Sequence, residues 1–496
     1  MTADERPTVA VVGGGIAGLA AAWELTGGGA GPGPRSPSVV LLEAAERLGG
    51  KLATVEFLGG PVDVGPDGFL GRRPEALQLC REVGLGDDLV PVGASGAAVW
   101  SRGRRRPLPD GLFLGVPTRL LPVARSGILS ARGTLRLATD LIAPRPDARG
   151  PLGDRAIGPL VARKLGRQVV DRLVDPLVGG IHAGGVADAS AAAVFPAVLS
   201  VAQRRASFMR SLGSIAAQAP RPDGEPAFWA LRRGFGSLVD RLVERLDGRA
   251  VDLRQSLPVE AMERAGSRWV LQTAGGPMSA DGVVVTTAAG PAAALLGPHD
   301  PEAAAILRAL DYASVALVTF AFPESGLPDD LLGTGLLVPH GTPLPRQVAQ
   351  AVGVEPEEPF LVTACTYLWA KWPHVVRPGA RLLRASVGRA TDTRARGMSD
   401  GELVRRVGQE LTALVGASAE PIDAFVTRWD DAFPQYRVHH LLRVSSVEAA
   451  VRRLGGVAVA GAAYHGVGVP ACIGSGRAAA VDVLTQLQGA ASAAPA

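Results

Sequence analysis

The first apolar run, Val9–Val12, gives way to Gly13-Gly14-Gly15-Ile16-Ala17-Gly18 and then to a helix-forming stretch ending at Leu25. A short apolar run followed by a glycine turn predicts a buried strand and then a helix. A second run, Ser38–Leu42, predicts the next strand, with Glu43 at its end; the Gly/Pro-rich stretch Gly27–Pro37 between them predicts an exposed loop. A helix is expected near Pro74–Val83, and apolar residues at helical spacing over 154–178 predict two consecutive helices. After turns at Gly234 and Gly236, an amphipathic helix is expected from about Ser237. Short β-type runs at Ala250–Leu253, Pro258–Arg264 and Trp269–Thr273 lead to "ADGVVVTTAAGPAAALL", which reads as a buried strand followed by glycine. Strands near Ala316–Phe322, Leu361–Tyr367 and Leu382–Val387 mark a mixed region reaching about residue 430. The last segment, "GVAVAGAAYHGVGVPACIGSGRAAAVDVLTQL", repeats the opening plan, with a helix expected from Ala471 or Cys472 and an Ala-rich tail after it.

At 496 residues the chain has room for two or three domains, and 47% hydrophobic residues supply large cores. The net charge is only +4, which points to no nucleic-acid partner. Only three of the 51 cations are lysine, a bias read as that of a G+C-rich genome. The one basic cluster, Arg102-Gly103-Arg104-Arg105-Arg106, is expected to be a solvated turn. Cys80, Cys365 and Cys472 lack C-x-x-C spacing, and the seven histidines show no H-E-x-x-H pattern, so no metal is expected. His439-His440 reads as a structural pair. The first strand begins too early to leave room for a signal peptide, and no run is apolar enough to span a membrane. A cytoplasmic protein, soluble or peripheral to a membrane, is expected.

In the spacing G-x-G-x-x-G, Gly13 permits a tight turn, Gly15 lets the backbone approach a pyrophosphate, and Gly18 lets the helix pack on the strand. Free N–H groups at the helix start then face the anion. Glu43, 25 residues past Gly18, is placed to bind a ribose. The terminal helix would point its positive end at whatever the loop Gly466–Pro470 contacts, and Tyr464 is expected to be an exposed aromatic there. No His/Asp or paired-carboxylate constellation offers a general base, so no catalytic residue is assigned.

Together, GGGIAG, Glu43, "ERLGGK", "GPDGF", "RKLGRQVVDRLVDPLVGGIHAGGVADASAAAVFP", "KWPHVVRPGARLLRASVGRA", "RWDDAFPQYRVHH" and "GVGVPACI" resemble the protoporphyrinogen/coproporphyrinogen oxidases of the FAD-dependent amine oxidase superfamily. The resemblance runs from about Val9 to Ala480. It implies a mixed α/β fold: a Rossmann-like FAD-binding domain assembled from residues 1–95, 232–297 and 440–496, a helical subdomain at 96–210, and a mixed-sheet substrate domain at 211–231 and 298–439.

The resemblance places FAD contacts on Gly13, Gly14, Gly15, Ile16, Ala17, Gly18, Glu43, Ala44, Arg47, Gly50 and Lys51. Gly65, Pro66, Asp67 and Gly68 fall beside the flavin, Val259 on the adenine side, and Trp429, Val467, Gly468 and Val469 near the isoalloxazine. His439 stands where the family block P-Q-Y-x-x-G-H has glycine. The implied reaction is oxidation of a porphyrinogen in three two-electron steps, with oxygen as acceptor and hydrogen peroxide as product, in heme biosynthesis. "GGK" at Lys51, "KWPH" and "GVGVPAC" resemble the branch that uses coproporphyrinogen III, with protoporphyrinogen IX as the alternative and handover to a later heme-pathway enzyme. An amine oxidase, a desaturase or a flavin-free escort protein of the same fold are further alternatives. Arg72 and Arg73 admit two readings: a propionate contact at the pocket mouth, or solvated arginines capping the helix from Pro74.

Overall fold

In strand β1 (Thr8–Val12), Val9 and Val11 point into one apolar core while Ala10 and Val12 point into another. A strand buried on both faces belongs at the centre of a covered parallel sheet. In the computed structural model, β1 pairs in parallel with strand β2 (Ser38–Leu42) on one side and with Gly282–Val285 on the other. Asp252–Arg254 and Val457–Val459 complete the edges of this five-stranded parallel sheet. The structure describes residues 6–33, 36–143, 153–204, 206–218 and 226–493. Pro34 and Arg35 of the expected loop, and the end of the Ala-rich tail, lie outside these.

Helix α1 (Ile16–Leu25) is apolar nearly all round and correspondingly buried, sandwiched between the sheet and the C-terminal helix Val469–Ala493. The two helices meet backbone to backbone: a side chain at Gly476 would run into the Ala17 carbonyl. The C-terminal helix starts at Val469, two residues before the expected Ala471, because Cys472 N–H already bonds to the Gly468 carbonyl. Helix α2 (Pro74–Glu82) begins with proline in its first turn, as expected.

A seven-stranded sheet forms the second layer. Its order is Asp423–Pro434, Tyr312–Pro323, Ala380–Val387, Val362–Tyr367, Gly335–Leu337, Ala98–Ser101 and Arg104–Pro107. Ala98–Ser101 and Arg104–Pro107 form a hairpin through Arg102 and Gly103, both in the left-handed region (φ 55° and 76°). The basic cluster is therefore half edge strand rather than a solvated turn. Arg105 pairs with Asp330, and Arg106 donates to the carbonyls of Ser101 and Ser126. The hairpin also attaches 98–107 to this sheet, although it falls within the stretch expected to be helical. Phe228–Leu231 likewise pairs with Phe69–Leu70 and Leu89–Pro91 of the N-terminal stretch.

The remaining core is helical. Of the two helices expected over 154–178, the first is Ile157–Leu165; the second passes through Arg167–Val169 into a π-helix, Val170–Gly179. Its wider turn accommodates Pro176, which lacks the N–H that a regular α-helix would use. This helix ends on the segment Gly180–His182, at the edge of the next layer.

Candidate active site

The three motif glycines are distinguished by what a side chain would meet. Gly13 has φ +110°, and an added Cβ would press on Thr286. At Gly18 the same atom would strike the Gly13 carbonyl. At Gly15 it would meet nothing within 4 Å. Two of these glycines therefore serve packing, while the third leaves open space at the start of α1, where no side chain caps the free N–H groups.

Glu43 faces this turn. Its carboxylate accepts from Gly14 N–H at 2.6 Å and from Ala45 N–H at 2.8 Å, which presents it beside the open space. Residues 254–257 run alongside: Glu43 N–H bonds to Arg254 O, and Leu257 N–H bonds to Glu43 O, so Val259 follows two residues on. The loop Leu48–Gly50 lies against the turn through Gly49 N–H and the Gly14 carbonyl, and Gly50 approaches the Gly15 Cα. Arg47 spends its guanidinium on the carbonyls of Leu48, Gly50 and Leu52, which makes it a staple of its own loop. Lys51 is exposed and has no hydrogen-bond or ion-pair partner among the described residues.

Gly65 packs onto the Lys51 carbonyl and lies beside the Trp429 ring. The segment Asp63–Gly68 is gripped from the seven-stranded sheet. Trp429 Nε1 donates to Val64 O at 2.7 Å, and Arg384 Nη1 donates to the carbonyls of Asp63 and Gly65. Asp67 is enclosed by Lys371, Arg384 and Trp372 Nε1 at 3.0–3.1 Å. Although burial opposes its charge, the Lys371 and Arg384 cations hold its carboxyl well below the usual range. Its side chain is thus occupied, and the segment offers a ligand its backbone. The Lys371–Trp372 part of "KWPH" acquires a local role: it fixes this segment. Beside it, burial raises the Asp63 carboxyl to about 7, although it accepts from Thr54 Oγ1 and Phe235 N–H.

The C-terminal loop closes the site. Gly461 N–H bonds to Ser475 Oγ, and a side chain at Gly466 would approach Ala471 and, at 3.9 Å, Arg73 Nη1. Arg73 also pairs with Glu75 at 2.9 Å. Of the two readings for the arginines, Arg73 is thus tied to Glu75 beside the loop, while Arg72 is exposed without a partner among the described residues. Burial raises the Cys472 thiol to about 11, against the pull of Lys51 and Arg73. Val467 is half-buried and Gly468 exposed just before the helix.

Two expectations need correction or completion. Tyr464 is not an exposed aromatic: it is 1% exposed, and its hydroxyl has no hydrogen-bond partner among the described residues. The sequence offered it as polar next to glycines, but the apolar cluster around Val444 and Val459 encloses it. His439 adopts φ +70°, so a histidine takes a left-handed conformation at the position that is glycine in the family block. Sequence reasoning missed Thr286, whose hydroxyl donates to the carbonyls of Val12 and Gly13, and also Arg384 and Tyr436. The "PQY" block was the only signal that could have pointed to Tyr436. Among the described residues, no group of three or more His, Cys, Asp or Glu could hold a metal. No helix among them is long and apolar enough to cross a membrane.

The flavin-containing amine oxidoreductase family matches residues 16–484. The chain is 32% identical to the coproporphyrinogen III oxidase of Bacillus subtilis (strain 168), over 98% of this chain and 99% of that one. It is 33% identical to the coproporphyrinogen III oxidase of Mycobacterium tuberculosis (strain H37Rv), over 96% and 97%. A crystal structure of a "putative protoporphyrinogen oxidase" from Exiguobacterium sp. 255-15 superposes with a TM-score of 0.83 at 32% identity, covering 97% of this chain and 99% of that one. The open turn at Gly15, the carboxylate of Glu43 and the unpaired Lys51 fit a flavin dinucleotide. The chain belongs to the flavin-containing amine oxidoreductase family, and its cofactor is FAD.

Proposed function

We propose that this chain oxidises coproporphyrinogen III to coproporphyrin III in heme biosynthesis, with oxygen as the electron acceptor. The observation that carries this reading is the full-length likeness to coproporphyrinogen III oxidases at 32–33% identity. Gly13–Gly18 would hold the pyrophosphate, Glu43 with Ala44 the ribose, and Val259 the adenine side. Gly50 and Lys51, on the loop stapled by Arg47, would flank the diphosphate, while Gly65–Gly68, Trp429 and Val467–Val469 would line the ring. When bound, FAD supplies the two-electron acceptor for each of the three methylene-bridge oxidations, and oxygen takes up the electrons with release of hydrogen peroxide. The substrate is an electron-rich macrocycle, so the protein's task is orientation and exclusion of water rather than strong base catalysis. Arg72, exposed and unpaired, would meet a propionate at the mouth, whereas Arg73 would support the C-terminal loop. Action in the cytoplasm, with direct handover of the product to a later heme-pathway enzyme, completes the reading.

Protoporphyrinogen IX is the second reading, favoured by the likeness to the Exiguobacterium structure. Side-by-side kcat/KM measurements on both porphyrinogens decide between them. The expected result is a preference for coproporphyrinogen III; a clear preference for protoporphyrinogen IX overturns the first reading.

A further inference from the structure

The C-terminal loop Ala462–Gly466 makes few backbone bonds of its own; one is a long turn contact from Tyr464 N–H to Gly461 O at 3.3 Å. The Cys472 thiol lies over Gly466 O at 3.8 Å, and two side chains from 24 or more residues upstream bond to three further backbone groups of the loop. The Tyr436 hydroxyl accepts from Gly466 N–H at 2.8 Å and donates to Ala462 O at 2.5 Å. The Tyr436 ring lies flat on His440, with centroids 3.8 Å apart and planes 13° apart. His440 in turn donates from Nε2 to Tyr464 O at 2.9 Å. Both rings are buried, at 4% and 0% exposure.

The segment bearing them is itself fixed. His439, in its left-handed conformation, donates N–H to Asp154 at 2.6 Å, and Arg437 pairs with Asp188 and Asp311. The left-handed turn at His439 lets the chain reverse into the helix His440–Leu454 while Tyr436 and His440 remain stacked. All three carbonyl or amide groups that the loop presents to this pair are satisfied by side chains, not by neighbouring backbone. Removing them leaves the loop without a template.

We infer that Tyr436 and His440 are positioning residues for FAD: through Ala462, Tyr464 and Gly466 they set the height at which Val467–Val469 meet the flavin ring. The inference rests on the flavin lying where the proposed function places it. Neither residue needs to touch the cofactor.

Tyr436→Phe keeps the stacked ring and removes only the hydroxyl. It is expected to raise the Kd for FAD about tenfold, as befits the loss of one buried bonding pair. It is also expected to lower the two-electron midpoint potential of the bound flavin by roughly 30 mV, a tenfold preferential loss of the reduced form. A merely structural role would lower the melting temperature and leave that potential alone. His440→Gln, which retains a donor without the stack, is expected to raise the Kd about threefold and lower the potential by roughly 15 mV, and it keeps the test available if Tyr436→Phe fails to fold. Gly15→Val provides the reference. If it retains FAD, the placement of the flavin is wrong; if it loses FAD while both clamp variants bind FAD at wild-type potential, the positioning role is wrong and the placement stands.

Discussion

The two strand–glycine–helix units at the ends of the chain share a plan and are held in different ways. In the N-terminal unit the turn is shaped by its own glycines and by Glu43 at the end of the adjoining strand. In the C-terminal unit the loop is shaped by Tyr436 and His440, which reach it from a separate segment. The first is a local device with space left over for a ligand. The second is a packed device whose shape depends on distant parts of the fold.

The largest contrast should come from placing the same bulk in each unit. Gly15→Val adds a side chain where the protein has no atom within 4 Å, so the apoprotein should fold with a melting temperature within about 3 °C of wild type and retain no FAD. Gly476→Val drives a side chain into the Ala17 carbonyl and should cost about 3 kcal/mol or more of stability, whether or not FAD is present. Calorimetry with flavin quantitation separates the two; equal loss of stability would erase the distinction.

Next in size is Glu43→Ala. It removes the carboxylate that holds Gly14 and Ala45 N–H, and FAD affinity measured by fluorescence quenching should fall roughly 10- to 100-fold, about 1.5–3 kcal/mol. Unchanged affinity would remove Glu43 from the site.

Acid should act on the packed device first. Burial lowers His182 and His440, on either side of Tyr436 in the sequence, and also His374, to about 4, with the His440 charge contributing at His182. Between about pH 4 and 6.5 the unfolded chain binds protons at these histidines that the folded chain does not, so stability rises with pH across that window. Asp63 opposes this: its carboxyl, raised to about 7, favours the folded state less as pH climbs from about 4 to 7. Burial also raises the Asp171 and Glu410 carboxyls, but of the three carboxyls only Asp63 moves as far as the histidines, so the melting temperature should still rise, by roughly 3 °C from pH 4.5 to 6.5. A flat or falling profile would contradict it, and His440→Gln should flatten the rise.

The smallest effect is expected at His439→Gly. Relief of a left-handed side chain is offset by the greater freedom of glycine when unfolded, so stability should rise by about 0–1 kcal/mol. A loss above about 1 kcal/mol, measured by urea denaturation, would show that the imidazole itself contributes.

This contrast also explains what could be read from the sequence. β1, its turn, α1, β2 and Glu43 were legible because each signal lies within a few residues of the structure it specifies. Asp423–Pro434 was missed as a strand because it is the edge of its sheet, half-exposed and rich in charge, without an apolar alternation. The cage around Asp67 was illegible because Lys371 and Arg384 lie more than 300 residues away and look like ordinary surface cations. Tyr464 was misplaced because its glycine neighbours suggest exposure, whereas the helix His440–Leu454 covers it. The π-helix carries no spacing that separates it from the α-helix before it.

The parallel sheet has a consequence for the order in which the protein is made. Thr8 bonds its N–H to Asp281, 273 residues later, and the edge strand Val457–Val459 arrives later still. While the chain is being translated, β1 and β2 can pair, but the face of α1 that the last helix covers has no cover. Ala17, which packs on Gly476 in the finished fold, then lies on an uncovered apolar face of the kind that makes folding intermediates adhesive. The residues proposed to hold FAD run from Gly13 to Val469, so the cofactor would meet its full set of contacts only after most of this chain had been made.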